Sequence, residues 1–370
     1  MPVLNDIFTS TGSKLFYHQE FIKNLRNGKG MPITTHVMPT DVCNYSCAFC
    51  SVQYREGDAL PFSIIEKYLD DLVSIGLKSV IISGGGNPIL YKCPITKRGF
   101  PRLIDMIHAK GLEIGLITNG IKLIDYNGRR SYPTLPPDQL DKLTWIRISL
   151  AGWDHGKDCF TPDIDPNRTT LGGSYVLHDI YEEPLDKKHG KVSTPEDRIS
   201  FDSPIRYGKD RIGQLTKQMI DWYETYNPQY VRLLPNCLEP SLIQERSESL
   251  QKVANLINPE VFFVQVKPPR QPHVCYKGYP HPVLNCDGFV YPCDSVVLNK
   301  TAGHKFGSAW RICRAQDILE FYSKPIRPNV PNDICPGCVF SDQVDLLAEV
   351  ADGMSIPPLS PKPPMHVNFV

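Results

Sequence analysis

The chain has 370 residues, and its 40 Lys and Arg side chains balance 40 Asp and Glu side chains, so the formal net charge is zero. This length allows one large domain and a smaller one, and neutrality gives no electrostatic footprint for nucleic acid or an anionic membrane. No apolar run reaches the length of about 18 residues that a membrane span needs, and the start lacks a signal-peptide pattern, so we expect a cytoplasmic protein.

The predicted elements alternate between helices and strands along the chain. Apolar residues at helical spacing predict helices over residues 13–26, after Pro61, around 101–109, over 210–226 and over 240–256. Runs rich in β-branched residues predict strands at residues 33–38, 79–82, 113–117, 145–150, 230–234 and 261–266. This alternation predicts a parallel α/β domain, whose functional residues lie at the carboxyl ends of the strands.

A cysteine-rich loop follows the first predicted strand. Cys43, Cys47 and Cys50 have the spacing C-x3-C-x2-C, and aromatic Phe49 precedes the last cysteine. Cysteine thiolates hold [4Fe–4S] clusters, and a cubane has four irons to ligate, so three cysteines leave one iron open. A structural zinc site is the alternative, but it needs a fourth ligand and residues 51–55 offer none. Three unrelated core cysteines are the remaining alternative.

This loop resembles the signature of the radical S-adenosylmethionine (SAM) enzymes. The resemblance implies a partial (βα)6 TIM-like barrel over residues 31–267, after an N-terminal extension over residues 1–30. It also implies that SAM binds the open iron and is cleaved reductively to a 5′-deoxyadenosyl radical, with a flavodoxin or ferredoxin-type protein as reductant. The radical then abstracts a hydrogen atom from the substrate.

Further segments resemble the SAM-binding parts of that family. The run after the second strand resembles a motif that holds the SAM amino group, although Gly86 and Asn87 stand where an acidic residue is common. A Thr-Asn-Gly segment and two polar residues of the fourth strand resemble further SAM contacts. The SAM-binding residues implied are Gly84, Gly85, Gly86, Asn87, Asn119, Arg147 and Ser149.

A second set of cysteines follows the predicted barrel. By ligand type alone it fits either zinc or an iron–sulfur cluster. Its sequence context resembles the auxiliary-cluster domains called SPASM and, in shorter form, twitch, which implies one auxiliary [4Fe–4S] cluster in residues 268–353. The arrangement resembles that of aminocyclitol dehydrogenases, and it implies as ligands Cys275, Cys293, Cys335 and Cys338, with Cys286 as a spare that could replace one of them.

Three cysteines are candidates for a different role. Radical epimerases need a thiol that returns a hydrogen atom to the substrate, and Cys237, Cys286 and Cys313 are the candidates, although a lone cysteine is more often a small buried hydrophobe. Residues 153–209 form a long insertion rich in polar residues, which we interpret as a candidate substrate lid. The proline-rich residues 354–370 predict an extended, poorly ordered tail without chemistry.

These features predict a radical SAM enzyme with a small polar substrate, such as a sugar, an aminocyclitol or a nucleoside-like molecule. Only 42 residues precede Cys43, whereas peptide-modifying relatives commonly carry an N-terminal recognition domain. The predicted outcome is oxidation or epimerisation. The alternatives are a peptide-modifying enzyme with a separate recognition chain and a non-catalytic iron–sulfur or zinc protein that binds a partner or senses redox state.

Overall fold

The structure is a computed structural model of the chain. It describes residues 7–9, 12–47, 49–50, 52, 55–120, 135–178, 211–237, 239–267, 270, 274–294, 310–329 and 338–370.

One mixed sheet organises the described residues. Its strands are Thr34–Val37 (β1), Ser79–Ile82 (β2), Glu113–Thr118 (β3), Trp145–Ser149 (β4), Thr170–Leu177 (β5), Tyr230–Pro235 (β6), Phe262–Val264 (β7), Val283–Leu284 (β8), Phe289–Tyr291 (β9) and Cys313–Arg314 (β10). The strand order is β10-β9-β8-β1-β2-β3-β4-β5-β6-β7, and neighbouring strands from β1 to β7 are parallel. β7 and β10 form the two edges, so over the described residues the barrel is open.

All six predicted strands are confirmed, but the structure adds a seventh parallel strand. β5 lies inside the predicted insertion at 153–209 and pairs with both β4 and β6, so the interpretation of that whole segment as a lid is wrong. A Cβ at Gly172 would lie 2.1 Å from the Tyr230 ring, and one at Gly173 would lie 3.0 Å from the Trp222 ring. The two glycines lower the strand propensity of the sequence, yet they make room for aromatic rings on both faces. Residues 179–209 of the insertion lie outside the described part.

Helices cover the outer face of the sheet. They are Gln19–Arg26 (α1), Phe62–Ser74 (α2), Phe100–His108 (α3), Pro137–Leu140 (α4), Arg211–Tyr226 (α5), Ile243–Ile257 (α6), Ile318–Ser323 (α7) and Ser341–Ala351 (α8). Alternate strand residues such as Val80 and Ile82 pack with Leu69 of α2 and Leu103 of α3 in the main hydrophobic core. The intervening residue, Ile81, faces the inside of the sheet. None of the described helices is both long and apolar enough to cross a membrane.

The C-terminal part of the chain extends the same sheet. β8 pairs with β1 in parallel, and β9 and β10 continue as antiparallel strands. α8 packs against α1 through Leu347 and Val350. The residues predicted to form an auxiliary domain therefore add three strands to the sheet, on the side of β1.

The end of the tail closes the barrel at the amino ends of its strands. The Asn368 carbonyl accepts hydrogen bonds from the Thr34 and Ser79 hydroxyls, at 2.5 and 2.7 Å. The Asn368 side chain donates to Glu113 at 2.6 Å, and the Phe369 ring packs edge-on against Trp145 with centroids 5.3 Å apart. These four partners are the first residues of β1 to β4. The expectation of a poorly ordered tail is therefore wrong for these last residues, because they fill the bottom of the barrel.

We predict that Phe369→Ala destabilises the protein. The ring is 3% exposed, and removing a buried aromatic ring typically lowers the free energy of unfolding by about 3 kcal/mol or more. Thermal unfolding of the purified chain should show a clearly lower midpoint. Leu359→Ala is the control, because Leu359 in the same tail is 36% exposed. Equal midpoints for the two variants would contradict the role of the tail as a barrel plug.

Candidate functional site

The cysteine loop lies at the carboxyl end of β1. Backbone and side-chain hydrogen bonds tie its base to residues 55–58: the Thr40 hydroxyl donates to the Asp58 carbonyl at 2.8 Å, and the Glu56 amide donates to the Asp41 carboxylate at 2.7 Å. The Cys50 amide donates to the Cys47 carbonyl at 2.9 Å, which turns the chain between the two thiols. The loop is therefore held at both its base and its tip.

The three loop thiols are half-buried and close to one another. Burial raises the pKa of Cys47, and the neighbouring Cys50 and Cys43 raise it further. Three thiolates this close repel one another unless a cationic centre lies between them. Among the described residues no three metal-binding side chains converge as they would on a single ion, but a four-iron cubane holds its cysteines farther apart than a single ion does. The donor set therefore fits an iron–sulfur cluster.

The glycine-rich segment after β2 packs directly on the cysteine loop. A Cβ at Gly86 would lie 2.1 Å from the Val42 carbonyl oxygen, so only glycine allows this approach. The Asn87 amide donates to the same Val42 carbonyl at 2.8 Å. Arg55 joins the two segments, since its Nε donates to the Gly85 carbonyl at 3.2 Å. The glycines thus position the loop, whatever they contact in a bound ligand.

A buried cluster of amides lies beneath this junction. The Asn87 side chain donates to the side-chain oxygens of Asn44 and Asn119, at 3.1 and 2.7 Å, and accepts from the Thr118 hydroxyl at 2.8 Å. Asn119 also donates to Asn44 at 2.8 Å. The side-chain NH2 of Asn44 is buried and has no partner among the described residues, so it is available to an acceptor atom of a bound molecule. The structure brings Asn87 and Asn119 together as the sequence predicts, and adds Asn44.

Two histidines lie against the aromatic residues of the loop. The Tyr45 ring stacks on His155 at 4.4 Å, and His155 Nε2 lies 3.5 Å from the Cys47 sulfur. Burial lowers the pKa of His155 to about 4, so the imidazole is neutral at pH 7. The Phe49 ring packs edge-on against His178 at 4.9 Å. No sequence pattern predicts the contact between His155 and Cys47, because the two residues are far apart in the chain.

Arg55 is a second contact that the sequence does not reveal. Its Nη2 donates to the Cys50 sulfur at 3.4 Å. Burial lowers the pKa of Arg55, but the thiols of Cys43, Cys50 and Cys47 outweigh this effect and raise it. A guanidinium at this place offsets negative charge on the thiolates. A single arginine after the cysteines has no distinctive spacing, so only the structure identifies it.

A cavity of about 610 Å³ lies inside the curved sheet. Inward-facing residues of β1, β2, β3, β4 and β6 line it, and so do residues after β7 and residues of the C-terminal region; among them are His36, Ile81, Ile117, Arg147, Arg232 and Lys277. Ser149 lies two residues beyond Arg147 at the carboxyl end of β4. Of the two polar residues of β4 predicted to contact SAM, Arg147 therefore points into this cavity.

The structure describes part of the second set of cysteines. Cys275, Cys293 and Cys338 are half-buried, and Cys335 lies outside the described residues. Burial raises the pKa of Cys338. The charge of Lys277 lowers this pKa, and the charge of Asp294 raises it.

The three candidate hydrogen donors lie in different environments. Burial raises the pKa of Cys237 and nearby Lys267 lowers it, so this thiol lies near a cavity residue. Cys286 is buried, and its sulfur lies 3.6 Å from the Asn285 side-chain oxygen. Cys313 is half-buried against the main hydrophobic core, where burial and the carboxylates of Asp317 and Glu320 raise its pKa to about 12. Of the three, Cys237 has an electrostatic neighbour, Lys267, that lines the cavity.

Comparison with known proteins shows which family this part of the chain resembles. Residues 37–144, which contain the cysteine loop, the glycine-rich segment and the amide cluster, match the sequence model of the radical SAM superfamily. This segment is therefore similar to that superfamily, whose cofactors are a [4Fe–4S] cluster and SAM.

Individual relatives are distant. An S-adenosylmethionine-dependent nucleotide dehydratase from Selenomonas ruminantium is 25% identical over 111 residues, which are 30% of this chain and 36% of that protein. The match thus spans about a third of the relative's length. SuiB of Streptococcus suis bound to S-adenosylmethionine has a TM-score of 0.49 and 12% identity, with 83% of this chain and 69% of SuiB covered. BtrN in complex with AdoMet and 2-DOIA has a TM-score of 0.36 and 12% identity, with 89% and 92% covered. Both TM-scores lie below 0.5, so we infer nothing further from these two structures.

We predict that Gly86→Ala disrupts the site. The added methyl group would collide with the Val42 carbonyl and push the glycine-rich segment off the cysteine loop. SAM affinity should fall at least tenfold, which corresponds to about 1.4 kcal/mol. Equilibrium binding of SAM to the anaerobically reconstituted protein measures this. Gly99→Ala is the control, because a Cβ at Gly99 meets nothing closer than 3.8 Å. Wild-type SAM affinity in Gly86→Ala would show that the contact is dispensable.

Proposed function

We propose that this chain is a radical SAM enzyme that abstracts a hydrogen atom from a small polar metabolite, such as a sugar, an aminocyclitol or a nucleoside-like molecule, and that the product is oxidised or epimerised. The observation that carries the proposal is the cavity inside the barrel. Its volume of about 610 Å³ is within the usual range of small-molecule sites, and charged and polar side chains contribute much of its lining. The tail closes its lower end, which favours a compact substrate over a long peptide.

We assign the cofactors to residues that fit them. Cys43, Cys47 and Cys50 would hold the SAM-cleaving cluster, and the segment from Gly84 to Asn87 with Asn119 and Ser149 would border SAM. When bound, the cluster supplies the electron that cleaves SAM and so generates the radical. The chain's own contribution is to hold the cysteine loop against the glycine segment, offer the Asn44 amide and keep water out of the buried amide cluster.

Two outcomes for the substrate radical fit the cysteines. For an oxidation, Cys275, Cys293, Cys335 and Cys338 would hold an auxiliary [4Fe–4S] cluster, which would supply an acceptor for the electron of the substrate radical while the substrate loses a proton. In an epimerisation, a thiol returns a hydrogen atom, and Cys237 is the candidate because its neighbour Lys267 lines the cavity. Solvent deuterium in the product would identify the second outcome. A flavodoxin or ferredoxin-type protein is the proposed reductant for SAM cleavage.

The relative from Selenomonas ruminantium supports the nucleoside-like part of this substrate range. Its name states that it acts on a nucleotide, and it is 25% identical to this chain over 111 residues. We therefore place nucleotides and nucleosides first among the substrates to test.

Anaerobic reconstitution tests the proposed reaction. We expect the wild type to bind about eight irons and the Cys43/Cys47/Cys50→Ala variant about four, because each cubane contains four irons. With dithionite and SAM, only the wild type should release 5′-deoxyadenosine, measured by chromatography. A protein that loads iron fully but leaves SAM intact would be a binding or sensing protein, and the proposed function would be wrong.

A second pair of variants tests the auxiliary cluster. A Cys335/Cys338→Ala double variant should lose about four irons while the loop cluster remains, because two remaining thiolates are too few to hold a cubane. Cys313→Ala is the matched control: this thiol packs against the main core, and its replacement should leave the iron content unchanged. Iron and zinc are counted by elemental analysis. Zinc in place of the lost iron would reject the auxiliary cluster but not SAM cleavage.

A further inference from the structure

Two arginines enter the cavity from neighbouring parts of the sheet. Arg147 lies in the middle of β4 and Arg232 lies in β6, and both line the same cavity. Lys267, after β7, lines it as well. The inward-facing positions of two parallel strands therefore place both arginines around one space, and Lys267 joins them from the segment after β7.

Among the described residues, neither guanidinium group forms an ion pair with a carboxylate. Arg147 is 9% exposed, and its Nε has no hydrogen-bond partner among the described residues. The Nε of Arg232 is also buried without a partner there, while its Nη1 donates to the Gln265 side chain at 3.0 Å. Arg147 also bonds to the Tyr230 hydroxyl. Burial of an unpaired charge is unfavourable, so binding of an anion to these donors would be favourable.

The two arginines also repel each other. Burial lowers the pKa of Arg232, and the charge of Arg147 lowers it further. Asp294 raises it in part, but the same carboxylate also interacts with His36, Lys277 and Lys267. Asp342 and Asp345, at the rim, form ion pairs with Arg270 instead. Over the described residues, Asp294 therefore offsets the positive charge of Arg232 only in part.

The two arginines lie closer to the amino ends of the strands than the proposed SAM-binding residues do. Arg147 precedes Ser149 by two residues on the same face of β4, which places it about 7 Å deeper in the barrel at the usual rise per residue. Below it, Trp145 and Phe369 close the barrel. None of the described residues of the cysteine loop or of the glycine segment lines the cavity. An anionic group held here would lie closer to the amino ends of the strands than the proposed SAM site.

We propose that Arg147 and Arg232 bind a phosphate group of the substrate at the bottom of the barrel, so that the substrate is a phosphorylated small molecule. This inference rests on the proposed function, since it names the substrate class of the same cavity. Paired guanidinium groups with a nearby ammonium match a group that carries two negative charges and several acceptor oxygens better than a single carboxylate. Nucleotides and sugar phosphates share this chemistry.

Calorimetric titration of the reconstituted full-length protein with pyrophosphate tests the site. We expect the dissociation constant to rise at least tenfold in Arg147→Gln and in Arg232→Gln. Arg168→Gln is the matched control, because Arg168 is 61% exposed and pairs with Asp141 and Asp165 at the surface; it should bind as the wild type does. No binding by the wild type, or affinities within twofold of wild type in both cavity variants, would overturn the proposal.

Binding of SAM in the same variants separates the two sites. SAM affinity should stay near that of the wild type in Arg147→Gln; a loss of SAM binding with unchanged pyrophosphate binding would assign Arg147 to SAM and reject the proposal. If the glutamine variants fail to fold, Arg147→Lys and Arg232→Lys keep the charge but remove the planar fork. Both lysine variants should still weaken pyrophosphate binding, and wild-type affinity for pyrophosphate in both would contradict the proposal.

Further titrations identify the source of the phosphate. CTP and glucose 1-phosphate are compared with cytidine and glucose, and the phosphorylated member of at least one pair should bind at least tenfold more tightly. Equal affinity within both pairs would reject a phosphate site. If arginine-dependent pyrophosphate binding is found but no 5′-deoxyadenosine forms, the anion site stands and the proposed reaction alone fails.

Discussion

The site depends on the contact between the backbone of the cysteine loop and the glycine segment after β2. Gly86 lies where any side chain would strike the Val42 carbonyl, and the Asn87 amide donates to that same oxygen. This contact aligns the ends of two neighbouring parallel strands and brings Asn44 beside Asn87. The cluster thiols, the Arg55 guanidinium and the buried amides are then fixed relative to one another. A cofactor that bridges the loop and the glycine segment therefore meets a preorganised site.

Charge is arranged in layers along the inside of the barrel. At the carboxyl ends of the strands, close thiols favour a cationic metal centre. Closer to the amino ends of the strands, the positive charges of Arg147 and Arg232 favour the binding of an anion. At the amino ends, the tail closes the barrel with hydrogen bonds and aromatic packing. A substrate held by its anionic end at the arginines would present its other end towards SAM, so the electrostatics of the barrel define a direction for binding.

Local patterns predicted much of the fold and the metal loop. The spacing of Cys43, Cys47 and Cys50, and the strand-to-glycine transition at Gly84, depend on neighbouring residues and are legible in the sequence. β5 was missed because its glycines are explained only by the distant rings of Tyr230 and Trp222. The role of Phe369 was missed because a proline-rich segment has no periodic pattern to reveal its packing. The Arg147 and Arg232 pair depends on strand order, which brings together residues that are far apart in the chain.

Electron paramagnetic resonance of the reduced protein, with and without SAM, tests the central claim most directly. If the cluster of the cysteine loop has an open iron that binds SAM, addition of SAM should change the g values of the wild-type signal. The variant that lacks Cys43, Cys47 and Cys50 should give a spectrum that SAM does not alter. A wild-type spectrum that is identical with and without SAM would contradict the account.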